Sequence, residues 1–146
     1  MPLEATDEAL RLDRQLCFPL YAAARKIVNL YTPLLKPLGI TYTQYLVLMV
    51  LWEEDGVTVG DLCRRLYLDS GTLTPLLKKM EAESFVRRAR STLDERIVTV
   101  TLTEKGRSMK KQVRSVPGCV GGCVNLTADE AVTLYGLLYK LLNGEN

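Results

Sequence analysis

The chain contains no histidine, which removes Ser-His-Asp triads, Cys-His dyads and imidazole metal sites from consideration. Its four cysteines, Cys17, Cys63, Cys119 and Cys123, include no Cys-x-x-Cys pair of the thioredoxin-like kind. No apolar run nears the length of a membrane span; the richest, Tyr45 to Trp52, is eight residues long. The amino end, MPLEATDEALRL, lacks the basic, apolar and small-residue succession of an export signal. The expectation is a cytoplasmic, reducing setting with unpaired thiols, and no cofactor, metal or membrane partner.

What is present suits one domain of 146 residues, 47% of them hydrophobic, enough for a real core. Net charge is only +2, from 19 Lys and Arg against 17 Asp and Glu, so bulk basicity argues for no partner. The distribution is more telling. Residues 61–111 carry 12 basic and 7 acidic groups, whereas residues 1–60 carry 5 against 7 and residues 112–146 carry 2 against 3. A basic middle lies between faintly acidic ends.

Hydrophobic periodicity places helices over most of the chain. Residues 7–35 read as helical, with a break near Leu16 to Phe18 and a long helix starting at Pro19, since proline is welcome at a helix start and costly inside. Thr41 or Thr43 caps a second helix, Gln44 to Glu54, apolar nearly all round and therefore central. Thr58-Val-Gly-Asp61 resembles a capping box opening a helix in which Val59, Leu62, Cys63 and Leu66 face inward. Cys63 is accordingly expected to be a buried small hydrophobe. Another helix follows Gly71, with Leu73, Leu76, Leu77 and Met80 facing the core; Pro75 predicts an irregular or late first turn. Val86 to Arg90 and Arg96 to Leu102 form a β-hairpin. A helix from Thr103 runs to about Arg114 and is ended by Pro117-Gly118. A glycine-rich bend carries Cys119 and Cys123, and Thr127 to Glu130 is a capping box for a last helix with Val132, Tyr135, Leu138, Tyr139 and Leu142 on one face.

Helix, turn, helix and hairpin in this order make a mainly α winged helix-turn-helix. The second helix leaves Ser70, Thr72, Thr74, Pro75, Lys78 and Lys79 outside its apolar stripe. Small hydroxyl groups read base edges and cations hold phosphates, while Arg87, Arg88, Arg90 and Arg96 line a hairpin suited to a minor groove. A solvated basic face on an unrelated protein accounts for the composition equally well.

The segments LCFPLY, LGITYTQYLVLMVLWE, LYLDSGTLTPLLKKME, DER and LTEKG, taken together from Leu16 to Leu142, resemble the MarR family of bacterial repressors. LCF, ITYTQYL and LDSGTLTPLLKK resemble its organic hydroperoxide-sensing branch in particular. The resemblance implies an intertwined homodimer, with residues 7–40 and 107–146 supplying dimerisation helices and residues 41–106 the winged helix-turn-helix. It implies that residues 70–79, Gly71 included, enter the major groove of a double-stranded operator. Arg96 would enter the minor groove, steered by Asp94, with Arg90 beside it. Dimer symmetry then implies a pseudo-palindrome with half-sites about 10 base pairs apart.

Cys17, just before Pro19, lies at or beside a helix N-terminus, where the macrodipole favours the thiolate that attacks peroxide. Tyr21 is one turn on. The resemblance implies that Tyr31 and Tyr42 of the other chain surround the reactive sulfur, and that organic hydroperoxides are the inducer. Leu16, Phe18 and Leu20 offer such oxidants an oily approach. It further implies a sulfenic acid at Cys17 that condenses with a cysteine of the other subunit, Cys119 before Cys123 because it follows Pro117-Gly118. Departures from the pattern are Pro19 where alanine is usual, Ser84 where glycine often closes the recognition helix, and Cys63 as an extra thiol. Two other readings stay open: a repressor released by a phenolic ligand in the dimer crevice, and a thiol peroxidase using Cys17. Packing cysteines and core tyrosines are the plain alternative to any sensor.

Overall fold

A computed structural model describes residues 7–144. Residues 1–6 and 145–146, including half of the segment read above for an export signal and the end of the last helix region, lie outside the described residues. Among the described residues no single helix is long and apolar enough to cross a membrane.

Two short 3-10 turns, Asp7–Leu10 and Leu12–Arg14, precede helix α1, Cys17–Leu35. The expected break falls at Gln15 and Leu16, so α1 begins two residues before Pro19, which occupies its first turn and breaks no internal hydrogen bond there. Gly39, at φ 76°, turns the chain into α2, Tyr42–Glu53. Thr41 caps it reciprocally with Gln44, so the earlier of the two threonines is the one used. Val47, Leu48 and Leu51 are all but inaccessible, and α2 is the central helix that its all-round apolar sequence implies.

Strand β1, Val57–Thr58, leads into α3, Val59–Leu66, which opens on the Thr58–Asp61 capping box. Tyr67 ends α3 in the left-handed region at φ 54°. Asp69 then caps α4, Ser70–Ala82, by accepting the Thr72 N–H at 2.7 Å. Helix α4 starts where its cap dictates and not late, contrary to the expectation from Pro75. Proline costs one hydrogen bond, to the exposed Gly71, whose carbonyl water can serve.

The hairpin is β2, Val86–Arg90, and β3, Val98–Leu102. Arg96 and Ile97 belong to the turn and not to the strand. Val57, which the sequence left unassigned, and Thr58, expected only as a helix cap, pair antiparallel with Val100 and Thr99, giving a three-stranded sheet in the order β1-β3-β2. Helix α5, Glu104–Gln112, is capped by Thr103. Pro117-Gly118 does not terminate it. α5 has already ended, and Pro117 sits in the first turn of α6, Val116–Gly121, where a missing N–H costs nothing. The supposed bend is therefore a short helix that buries Val116 and Val120 against the core and includes Cys119, with Cys123 just beyond it. Helix α7, Ala128–Asn143, opens on the Thr127–Glu130 capping box and buries nothing in its own chain.

Candidate functional site

Two surfaces carry the residues singled out above. The first is a groove of about 580 Å³ between the start of α3, one side of α4 and the hairpin. It brings Ser70, Thr74 and Lys78 of α4 together with Arg90 and Arg96 of the hairpin, residues up to 26 positions apart in sequence. Gly71, Thr72 and Pro75 are exposed along the same half of α4. Lys79 is not among them; it borders a different cavity, beside α1 and α2.

The wing owes its shape to hydrogen bonds within the turn. The Ser91 hydroxyl accepts the N–H groups of Leu93 and Asp94, and the Ser91 N–H donates to the Ile97 carbonyl. Asp94 accepts the Arg96 backbone N–H, Nε and Nη2, each at 3.0 Å. Those bonds hold the Asp94 carboxyl below its usual range and raise the Arg96 guanidinium. The Arg96 side chain is nonetheless 90% exposed, so the pair aims the cation without hiding it. Arg90 donates to the Glu95 carbonyl at 2.8 Å.

Arg88 departs from the expected row of free wing cations. Its backbone N–H donates to Glu81 at 2.7 Å and its guanidinium to the same carboxylate at 3.1 and 3.3 Å. It braces β2 against α4, and its charge is already matched. Cys63 also departs from expectation. It packs against the core yet is only half-buried, and it forms part of the groove wall facing Ser70 and Thr74.

The second surface surrounds Cys17, the first residue of α1 and exposed. Leu16, Phe18, Leu20 and Tyr21 are exposed around it. Tyr21 lies one turn along, with the Arg25 guanidinium 5.5 Å from its ring centre. Tyr31 and Tyr42 are elsewhere. Tyr31 is 14 positions further along α1, about 21 Å at the rise of an α-helix, and its ring packs at a tilt against Tyr42, centres 4.7 Å apart, and against Tyr45, centres 5.8 Å apart. Burial, and then the neighbouring Tyr31, push the Tyr42 hydroxyl above its usual range. One chain thus holds the cysteine and the tyrosine pair at opposite ends of a helix, and no fold of this α1 brings them together. Cys17, Cys119 and Cys123 are all free and exposed.

Sequence reasoning overlooked Gln44, the sole buried polar side chain among the described residues. Its carbonyl accepts the Thr41 N–H at 3.0 Å and its amide donates to Glu83 at 3.1 Å. The Thr41-x-x-Gln44 spacing was the available signal, since a capping box uses glutamine as readily as glutamate.

The profile of the SarA/Rot transcriptional regulators matches residues 29–113. The organic hydroperoxide resistance transcriptional regulator of Bacillus subtilis is 44% identical over 140 residues, 96% of this chain and 95% of that protein. The chain belongs to the SarA/Rot/MarR winged-helix regulators. The regulator TtmR of Methylorubrum extorquens is 52% identical over 124 residues, 85% of this chain but 64% of its own length. Among solved structures, reduced AbfR bound to DNA is 38% identical and superposes with a TM-score of 0.77, covering 93% of this chain and 94% of that one. Disulfide-formed AbfR is 37% identical, with a TM-score of 0.64 over 94% and 96% of the two chains. These SarA/Rot/MarR relatives are transcriptional regulators and not enzymes, which sets the thiol peroxidase aside.

Proposed function

We propose that this protein is a redox-sensing repressor. A reduced homodimer binds a pseudo-palindromic double-stranded operator and leaves it when organic hydroperoxide oxidises Cys17. One observation carries the reading. Cys17 is exposed at the head of α1 amid exposed Leu16, Phe18, Leu20 and Tyr21, while the Tyr31–Tyr42 pair is about 21 Å away on its own chain. A second copy, running antiparallel along α1, would lay its tyrosines beside this sulfur.

The same dimer answers the exposure of the terminal helices. Val132, Tyr135, Leu137, Leu141 and Leu142 of α7 are each at least half exposed and lie on more than one side of the helix, more apolar surface than its own chain covers. Residues 7–40 and 107–146 would form the dimer interface and residues 41–106 the DNA-binding region. In the latter Ser70, Gly71, Thr72, Thr74, Pro75 and Lys78 face the major groove, Lys79 stands apart from them on the side of α4 toward α1 and α2, and Arg90, Asp94 and Arg96 form the minor-groove wing. That disulfide-formed and DNA-bound structures exist for AbfR, a relative of 37 to 38% identity, supports the reading.

The chemistry has two steps. The Cys17 thiolate attacks the outer peroxide oxygen, the O–O bond breaks, and the alkoxide leaves as an alcohol once protonated; cysteine becomes a sulfenic acid. The thiol of Cys119 on the other subunit then attacks that sulfur, and the sulfenic oxygen leaves as water. Cys123, two residues beyond the end of the short helix, is the alternative resolving thiol.

Non-reducing electrophoresis after tert-butyl hydroperoxide tests this, alongside binding to duplexes selected from a random library by the reduced protein. Wild type gives a species of doubled mass and loses DNA; Cys17→Ser keeps DNA binding and does neither; Cys119→Ser gives no doubled species. A Cys17→Ser protein that still releases DNA on oxidation overturns the proposal. A second reading, release by a small phenolic ligand, is favoured by the cavity of about 820 Å³ walled by Val28, Leu35, Ile40 and Leu46 with Lys36 and Lys79 at hand. Release under strictly reducing conditions would mark it.

A further inference from the structure

The tyrosine pair and the DNA-reading helix are joined by one buried side chain. Gln44 stands in the first turn of α2, two residues after Tyr42 and three after the cap Thr41. Its carbonyl oxygen is taken by the Thr41 N–H, and the Thr41 hydroxyl in return accepts the Gln44 N–H at 3.3 Å. That reciprocal cap makes the first turn of α2 a rigid unit, and Tyr42 belongs to it. The amide end of Gln44 leaves the unit and donates to Glu83 at 3.1 Å, across 39 positions of sequence. Glu83 is the residue that ends α4, its N–H donating to the Lys79 carbonyl at 2.9 Å and its own carbonyl accepting Lys105 Nζ at 2.8 Å.

We propose that Gln44 is the positioning residue through which a displacement at Tyr42 reaches the recognition helix, by way of Glu83. The inference rests on the redox reading above. Gln44 is 1% exposed, so losing the Glu83 acceptor leaves its amide hydrogen unpaired until water enters from the cavity that Tyr42, Gln44 and Glu83 border, which costs free energy. When a partner subunit's oxidised cysteine moves the Tyr42 turn, Glu83 must therefore follow Gln44, and the C-terminal end of α4 with it. Apolar contacts between α2 and α4 can slide; this hydrogen bond transmits direction. Gln44 itself touches neither oxidant nor DNA.

Glu83 can be varied without disturbing the α2 cap, and its backbone bonds to Lys79 and Lys105 survive truncation. In Glu83→Ala the reduced protein should bind the selected duplex nearly as wild type does, and hydroperoxide should produce the doubled species at the wild-type rate. The ratio of reduced to oxidised DNA affinity should nevertheless fall about tenfold, the size of an ordinary coupling between sites. Glu83→Gln, whose amide oxygen can still accept from Gln44, should restore most of the ratio, which a purely electrostatic role for Glu83 would not. Glu83→Met, keeping the volume without the acceptor, gives the same reading should the alanine variant be unstable. An unchanged ratio in both Glu83→Ala and Glu83→Met overturns the link while leaving the redox reading standing. Wild-type affinity that does not fall on oxidation overturns both.

Discussion

A side chain at Gly106 would collide with Phe85: a Cβ built there stands 2.3 Å from the Phe85 carbonyl oxygen and 3.1 Å from a Leu102 methyl. Helix α5 begins pressed against the strand edge at β2, and only the absence of a Cβ allows it. The Gly106 carbonyl in turn accepts the Trp52 indole N–H at 3.0 Å, so one backbone position ties α5 to both the sheet and α2. Gly106→Ala should destabilise the fold by about 2 kcal/mol or more, the range for overpacking against backbone that cannot yield. Urea unfolding followed by the fluorescence of Trp52, the single tryptophan, measures it. A loss below a few tenths of a kcal/mol would mean that the contact relaxes freely.

Ser84 sits in the left-handed region at φ 66°. It closes α4 with the Ser84 N–H on the Glu81 carbonyl at 3.0 Å and the Phe85 N–H on the Met80 carbonyl at 2.9 Å, the paired bonds of a Schellman ending. Both use backbone only. Ser84→Gly should stabilise the protein by about 0.5 to 1 kcal/mol, the relief of the left-handed cost less the extra freedom of glycine when unfolded. An unchanged or lower midpoint in thermal unfolding would count against the strain.

Glu81 gives the chain an acid-sensitive joint. The backbone N–H of Arg88, and then its guanidinium, hold the carboxyl below its usual range against the opposing effect of burial. A lowered folded-state value contributes stability above the unfolded value near pH ~4.3 and loses it as pH falls through the folded value. Glu81→Gln should therefore lower the urea midpoint at pH 7 and converge with wild type in more acidic solution. A difference that stays constant down to pH ~2.5 would show that charge is not its source.

Arg96→Ala should weaken operator binding and reduce the slope of log affinity against log salt by about one, as expected for losing one phosphate-neutralising cation. Asp94→Ala should weaken binding less, since the cation remains but is no longer aimed by its three hydrogen bonds. Fluorescence anisotropy across a salt titration reads both. Equal affinities for wild type and Arg96→Ala at every salt concentration would remove the wing from the interface.

Local rules were written in the sequence and could be read there. Capping boxes at Thr58 and Thr127, the cap at Thr103, alternation in Val98 to Leu102 and the all-round apolar α2 depend on neighbours a few residues away, so spacing alone determined them. Leu16-Cys17-Phe18 and the recognition-helix segment likewise marked the two surfaces of interest. Contacts between distant residues were decided only by the fold. Nothing near Val57 announces that a two-residue strand will pair with Val100, because so short a strand has no periodicity of its own. Nothing around Arg88 shows that Glu81 will claim it, and α6 hid behind a Pro-Gly pair that usually ends helices. The separation of Cys17 from Tyr31 and Tyr42 is of the same kind: all three were named from sequence, but the straight length of α1 sets them apart, since a helix advances a fixed distance per residue and cannot fold back on itself.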